Sequence, residues 1–245
     1  MMQTADTNVV QRAFDRFATI TTLLWVVAFV VYEWLDHDDF TRQLKQEHSS
    51  EGAGIVEHLT FFVLIPGILC GLFVVWRWRE RFASPLLRWW VFVWALACIY
   101  FAGEEVSWGY WYFGWETPEV IATVNDQGET NLHNMTSWLD QKPRALVELF
   151  VFIAGVALPL RRKLLGSKPL LRGRLAILEP WVIAPGSLIA AGLFFVAIRI
   201  SKYLPKESFD NFGDSELREF AVAWFLGLYL CSYAVRLRRA QAAQP

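Results

Sequence analysis

Long, unbroken apolar runs alternate with short charged connectors along the chain. A helix needs about 20 mainly apolar residues to cross a bilayer, with a range of about 17–25. Six segments approach that length, at about 17–35, 54–76, 86–108, 144–161, 180–200 and 217–236. Several reach it only by taking in a carboxylate near one end. The fourth has the shortest uncharged stretch, bounded by Glu148 and Arg161. The runs are continuous rather than alternating, which argues against the strands of a barrel. The expected fold is all-α: a polytopic membrane bundle of about six transmembrane helices, forming a single transmembrane domain over residues 1–245. No internal repeat or low-complexity linker divides it. Arg12 and Arg16 precede the first run, but no small-x-small cleavage site follows it, so it is read as an uncleaved span.

Charge gives the orientation. With the N-terminus in the cytoplasm, the inner connectors hold Arg12 and Arg16, then Arg77, Arg79, Arg81 and Arg88. Next come Arg161, Arg162, Lys163, Lys168, Arg172 and Arg174, and finally Arg236, Arg238 and Arg239, for 15 of the 23 basic residues. Only Asp6, Asp15, Glu80 and Glu179 among the 24 acids share that side. An excess of Lys and Arg marks cytoplasmic loops, so both termini are expected inside, with an even number of spans. The expected location is the cell membrane, multi-pass, and the inner membrane if the source is Gram-negative.

Composition fits this picture: the chain is 55% hydrophobic, with 13 Trp and 19 Phe, enough aromatics for interfacial belts. A formal net charge of −1 gives no sign of a nucleic-acid partner. Membrane lipid is the partner that composition implies. Cys70, Cys98 and Cys231 lie inside apolar runs, an odd and widely spaced set that reads as packing residues.

Against that apolar background the acids stand out, because a charge at mid-bilayer costs on the order of 2.5–3.5 kcal/mol on insertion scales. Glu33, Glu57, Glu104 with Glu105, Glu148, and Glu216 with Glu219 each fall near the outer end of a span, and the fifth span offers Arg199 instead. Since alternate helices run in opposite directions, these positions share one depth under the expected topology. Acids in a first turn also answer to the helix dipole. That suffices for Glu216 and Glu219 and is a fair account of Glu57. Glu104 and Glu105 lie in a C-terminal half, where the dipole disfavours an anion.

These two acids open the densest polar stretch, Gly103 to Asn134, much of which falls in an outer connection at about 109–143. Helical spacing places Ser107 and Trp108 on the face of Glu104, and Trp108 and Gly109 on that of Glu105. Gly109 is expected to let another backbone approach. Thr117-Pro118-Glu119 reads as N-cap, N1 and N2 of a short helix ending near Asn125. Glu129 and His133 are spaced i and i+4. Together with acids from other helices they suit a divalent metal ion, the candidate cofactor, with Glu57, Glu105, Glu129 and His133 as ligands. The candidate catalytic residues are Glu104, Glu105, Ser107, Asn131, His133 and Asn134. Carboxyl and imidazole supply general acid and base, and amides and hydroxyl orient a substrate or an oxyanion. Pro66 and Pro185 are candidate helix breakers.

The run Gly-Glu-Glu-x-Ser-Trp-Gly, then Thr-Pro-Glu, then Asn-x-Gln-Gly-Glu-Thr-Asn-Leu-His-Asn resembles a family of uncharacterised bacterial multi-pass membrane proteins. The resemblance covers Gly103 to Asn134 and, loosely, the Glu57 helix. It implies several spans and carries no assigned activity. At Tyr110-Trp111 the chain departs from the family's Gln-Arg. The alkaline ceramidase and adiponectin-receptor-like hydrolases also hold a metal within a helical bundle, but through a late His-x-x-x-His pair. No histidine follows His133 here, so only that analogy carries over.

Three functions are consistent with these residues. One is a metal-assisted hydrolase or transferase acting on a lipid or envelope substrate. The second is a cation- or proton-coupled transporter, which needs a polar path continuing inward. The third is a non-catalytic envelope partner or sensor.

Overall fold

A computed structural model describes residues 2–34, 54–123, 130, 137–166, 168–170, 172–203 and 215–242. Every regular element among them is helical, and six helices are long and apolar enough to cross a membrane: Thr7–Val31, Ile55–Arg77, Pro85–Glu105, Lys142–Leu165, Glu179–Ser201 and Ser215–Ala242. The long elements are α1 (Met2–Trp34), α2 (Ile55–Arg77), α3 (Pro85–Glu105), α4 (Ser137–Phe150), α5 (Leu158–Leu165), α6 (Ile189–Ser201) and α7 (Ser215–Ala242). One apolar core joins residues from all six spans.

Local chemistry sets several boundaries. α3 starts at Pro85, in the N1 position where a missing N–H costs nothing, after the Ser84 hydroxyl caps it by accepting from the Leu87 N–H at 3.2 Å. Pro66 lies inside α2 without ending it. Pro185 does interrupt its span: the short helix Glu179–Val182 gives way to extended backbone at Ile183 and Pro185, then a tight turn at Gly186–Leu188 leads into α6. The fourth span is continuous but widens to π-helical pairing over Val151–Ala157, between α4 and α5.

Those two irregularities complete each other. A break inside a bilayer frees backbone groups that must find partners within the protein. The Ala184 N–H donates to the Ala154 carbonyl in the widened turn, at 2.9 Å. α7 secures the other side of the break. Tyr229 donates to the Val182 carbonyl at 2.9 Å, Tyr233 to the Trp181 carbonyl at 2.7 Å, and Arg236 to the Pro180 carbonyl. Residues 229, 233 and 236 follow helical spacing, so one face of α7 holds the whole break.

α7 is the hub of the bundle. Within its spanning window 78% of residues are buried in the protein, against 17% for α1, which presents most of its apolar surface outward. α1 docks on α7 through Trp224, whose indole N–H donates to Thr22 at 2.8 Å. α2 crosses α7 backbone to backbone at Gly67 and Gly227: a Cβ on Gly67 would fall 2.6 Å from Gly227 Cα, and one on Gly227 would fall 2.6 Å from the Val63 carbonyl oxygen. Small residues permit such close crossings where lipid provides no hydrophobic drive between helices. One turn further on, the thiols of Cys70 and Cys231 meet in hydrogen-bonding contact.

Candidate functional site

The crossing at Gly67 and Gly227 fixes where the acids of α2 and α7 come together. Glu57 lies ten residues before Gly67 and Glu219 eight before Gly227. At 1.5 Å per residue both sit about 12–15 Å from the crossing, along helices that run the same way. That is close to half of a hydrocarbon core about 30 Å thick. α3 arrives from the opposite direction and ends at this level with Glu104 and Glu105.

The carboxylates converge there. Glu105, Glu216 and Glu219 each place an oxygen within 4.8 Å of the others. Glu105 is 8% exposed and hydrogen-bonds Glu219, and the charges of Glu216 and Glu57 also act on it. The Glu57 carboxylate accepts the Gly54 N–H at 2.5 Å, so it both caps α2 and faces the cluster. Arg144 of α4 pairs with Glu219. Three carboxylates thus share a small volume, with Glu57 in electrostatic reach and the Arg144 guanidinium paired to Glu219.

A second ion group borders it. Glu148 is bridged by Arg199 of α6 at 3.3 Å and Arg218 of α7 at 3.1 Å. This lone acid of the fourth span and lone base of the fifth are therefore a clamp joining three helices. Between the two groups lies a cavity of about 150 Å³. Glu104, Glu105, Glu148 and Glu219, with Arg144 and Arg218, line it on one side, and Ala97, Phe101, Val147, Val222 and Leu226 extend it into the apolar core. Its character is amphiphilic: a charged mouth above a greasy slot.

The end of α3 explains the Gly-Glu-Glu-x-Ser-Trp-Gly run. The helix stops at Glu105, and Ser107, Trp108 and Gly109 follow with φ of 45°, 53° and 93°. Non-glycine residues seldom adopt positive φ, and such strain clusters at functional sites. The reversal folds the Trp108 indole back over Gly103, where a Cβ would fall 2.8 Å from the ring. Its N–H then donates to Glu104 at 2.5 Å, and Tyr100 hydrogen-bonds the same carboxylate. Glu104 and Trp108 do meet, but through a turn and not a continuing helix. For the same reason Trp108 is not a partner of Glu105. Gly109 packs against the rings of Phe113 and Trp115 instead of another backbone. Ser107 is buried beside the acids at 2% exposure.

The remaining expectations fare unevenly. His58 stacks on Tyr112 and shares a hydrogen bond with its hydroxyl at 3.0 Å. The short helix of the connection is Glu119–Ala122, so Pro118 is its cap, and the Thr117 hydroxyl bonds that of Thr130 at 3.1 Å instead of capping. Glu129, Asn131, His133 and Asn134 lie outside the described residues, as does the side chain of Glu33. Glu216 and Glu219, which the helix dipole seemed to explain, belong to the cluster. Their i, i+3 spacing on one face was the available signal, since a dipole effect needs no shared face.

No protein-family model, curated protein or solved structure matches the chain.

Proposed function

We propose that this is a multi-pass cell-membrane protein, with both termini cytoplasmic, whose carboxylate cluster lies at the exterior side and binds a divalent cation. In this reading it serves a hydrolase or transferase that acts on a lipid or envelope substrate. The convergence of Glu105, Glu216 and Glu219 carries the proposal. Carboxylates this close, one of them buried, need protons or a cation to offset their repulsion. The donors are all hard oxygens, which suits magnesium, calcium or manganese. Glu57 is within electrostatic reach as a fourth acid.

A bound cation of this kind would supply Lewis-acid polarisation of a phosphoryl or carbonyl oxygen. The chain's own groups do the rest. Arg144 and Arg218, paired with Glu219 and Glu148, hold those carboxylates in place at the mouth of the cavity. Ala97, Phe101, Val222 and Leu226 receive an apolar tail. Glu104, fixed by Trp108 and Tyr100, is poised to move a proton.

A transporter is the second reading, favoured by the broken fifth span. That break lies at the end of the bundle away from the acids, and α7 hydroxyls occupy its carbonyls. A one-sided cluster supports a site better than a conduit.

Elemental analysis of the detergent-purified chain tests the cation. About one divalent ion per chain is expected after equilibration with magnesium, calcium or manganese, and it should be lost in Glu105→Gln and Glu219→Gln. A metal-free wild type that none of the three ions stabilises would refute the cation. Unchanged turnover in Glu105→Ala combined with His133→Ala would end the enzyme reading.

A further inference from the structure

A larger cavity, of about 880 Å³, opens at the other end of the bundle. Its wall is formed by α5, the Glu179–Val182 turn, the break at Pro185 and the last turns of α7. Arg236 follows Glu219 by 17 residues, which sets this cavity about 26 Å along α7 from the carboxylates.

Among the described residues four cations line it, Arg162, Lys163, Arg236 and Arg239, and no carboxylate does. Two described acids contact its lining residues. Glu179 takes Arg162 at 3.1 Å on one oxygen and the Leu170 N–H at 2.7 Å on the other. Asp15 accepts from Gln11 at 2.9 Å. Arg162 and Glu179 offset each other, and Lys163, Arg236 and Arg239 outnumber Asp15, so a positive excess remains among the described residues. Arg236 is pre-positioned: its guanidinium lies 5.0 Å from the ring centres of both Trp181 and Tyr233 and donates to the Pro180 carbonyl. Arg162 Nε and Arg236 Nη1 are buried with no hydrogen-bond partner among the described residues. Buried donors of this kind call for an acceptor. Beside the cations the wall turns apolar at Ile183 and Ile189.

We propose that this cavity binds phosphate, presented as the headgroup of an anionic phospholipid. Guanidinium groups match phosphate oxygens in geometry as well as charge, and basic pockets between membrane helices suit such headgroups. The volume lies in the range of small-molecule sites, about 300–1,000 Å³. Ile183 and Ile189 would meet the start of the acyl chains.

Thermal unfolding of the full chain in neutral detergent tests this with three probes: short-chain phosphatidylglycerol, short-chain phosphatidylcholine and inorganic phosphate. Phosphatidylglycerol should raise the midpoint, and phosphatidylcholine should not. In Lys163→Gln/Arg239→Gln, both exposed positions whose loss leaves the core intact, the half-maximal concentration should rise roughly 30-fold, as expected for two cations near a charged headgroup. Arg77→Gln/Arg79→Gln, exposed on the same end of the bundle, should leave it unchanged. A shift with inorganic phosphate that depends on Lys163 and Arg239 would keep the site and assign it to a soluble ligand. No shift with either phosphate probe would overturn the proposal. So would a shift indifferent to Lys163 and Arg239, or one lost equally in the Arg77/Arg79 pair.

Discussion

Gly67→Ala probes the contact that sets the depth of the carboxylate cluster. The added Cβ would sit 2.6 Å from Gly227 Cα and 2.8 Å from its carbonyl oxygen, both backbone atoms that no rotamer change can remove. Ordinary carbon contacts lie near 3.5–4.0 Å, so α2 and α7 would have to part by roughly 1 Å. Overpacking of this kind costs about 1–3 kcal/mol. For a chain of this length that corresponds to an apparent midpoint lowered by about 2–12 °C. The measurement is thermal unfolding in detergent at one fixed scan rate, since membrane proteins often unfold irreversibly. Gly186→Ala is the control: nothing lies within 4 Å of its added Cβ. If Gly67→Ala melts with Gly186→Ala, the backbone contact at the crossing is not a determinant of the packing. If it melts lower but binds cation with unchanged affinity, the crossing does not set the cluster's geometry.

Two further comparisons read the polar contacts. Trp108→Phe removes the donor to Glu104 and should cost about 1–2 kcal/mol, with most of that loss absent in a Glu104→Ala background, which has no side-chain acceptor. A double-mutant cycle on unfolding midpoints measures the coupling, and additive losses would refute the Trp108–Glu104 bond. Tyr229→Phe should destabilise more than Tyr233→Phe. The first change strands both the Trp90 indole N–H, 2.9 Å away, and the Val182 carbonyl, at about 1–3 kcal/mol each. The second strands the Trp181 carbonyl, which Tyr229 still approaches at 3.4 Å. The reverse order of midpoints would contradict this account of how the break is held.

Hydropathy made the six spans legible because backbone in a bilayer must be helical wherever it meets lipid. It did not reveal the hub. α7 has the least hydropathic of the six spanning windows and yet is the most buried. Transfer scales measure escape from water and do not distinguish lipid from protein as the destination. Pro185 is recognisable as a breaker, and the widening at Val151–Ala157 has a local contributor too: Pro159 follows it and has no N–H to give the Gly155 carbonyl. What the sequence does not disclose is its use: the widened turn gives the Ala154 carbonyl to the Ala184 N–H across the interface. The acids stand out by their cost in an apolar setting, but Glu216 and Glu219 have a sufficient local explanation, and only the meeting of the end of α3 with the first turns of α7 brings them to Glu105. In the same way, the left-handed turn at Ser107 and Trp108 breaks the helical face that spacing alone assigns to Glu105.

α7 also argues for the division of labour between the two ends. Glu216 and Glu219 occupy its first turns, and Tyr229, Tyr233 and Arg236 hold the fifth-span break at its other end. Between Glu219 and Tyr229 every residue is buried, and all are apolar or glycine: Phe220, Ala221, Val222, Ala223, Trp224, Phe225, Leu226, Gly227 and Leu228, with Trp224 reaching only Thr22 through its N–H. An ion or proton moving along this helix would cross about 15 Å with no titratable side chain from α7. The cost of carrying charge through such a stretch is several kcal/mol at the least. The two proposed sites, for a cation at one end and a phosphate at the other, therefore stand as separate sites and not as the two mouths of one path. The close-packed middle of α7 keeps them apart and holds both in place.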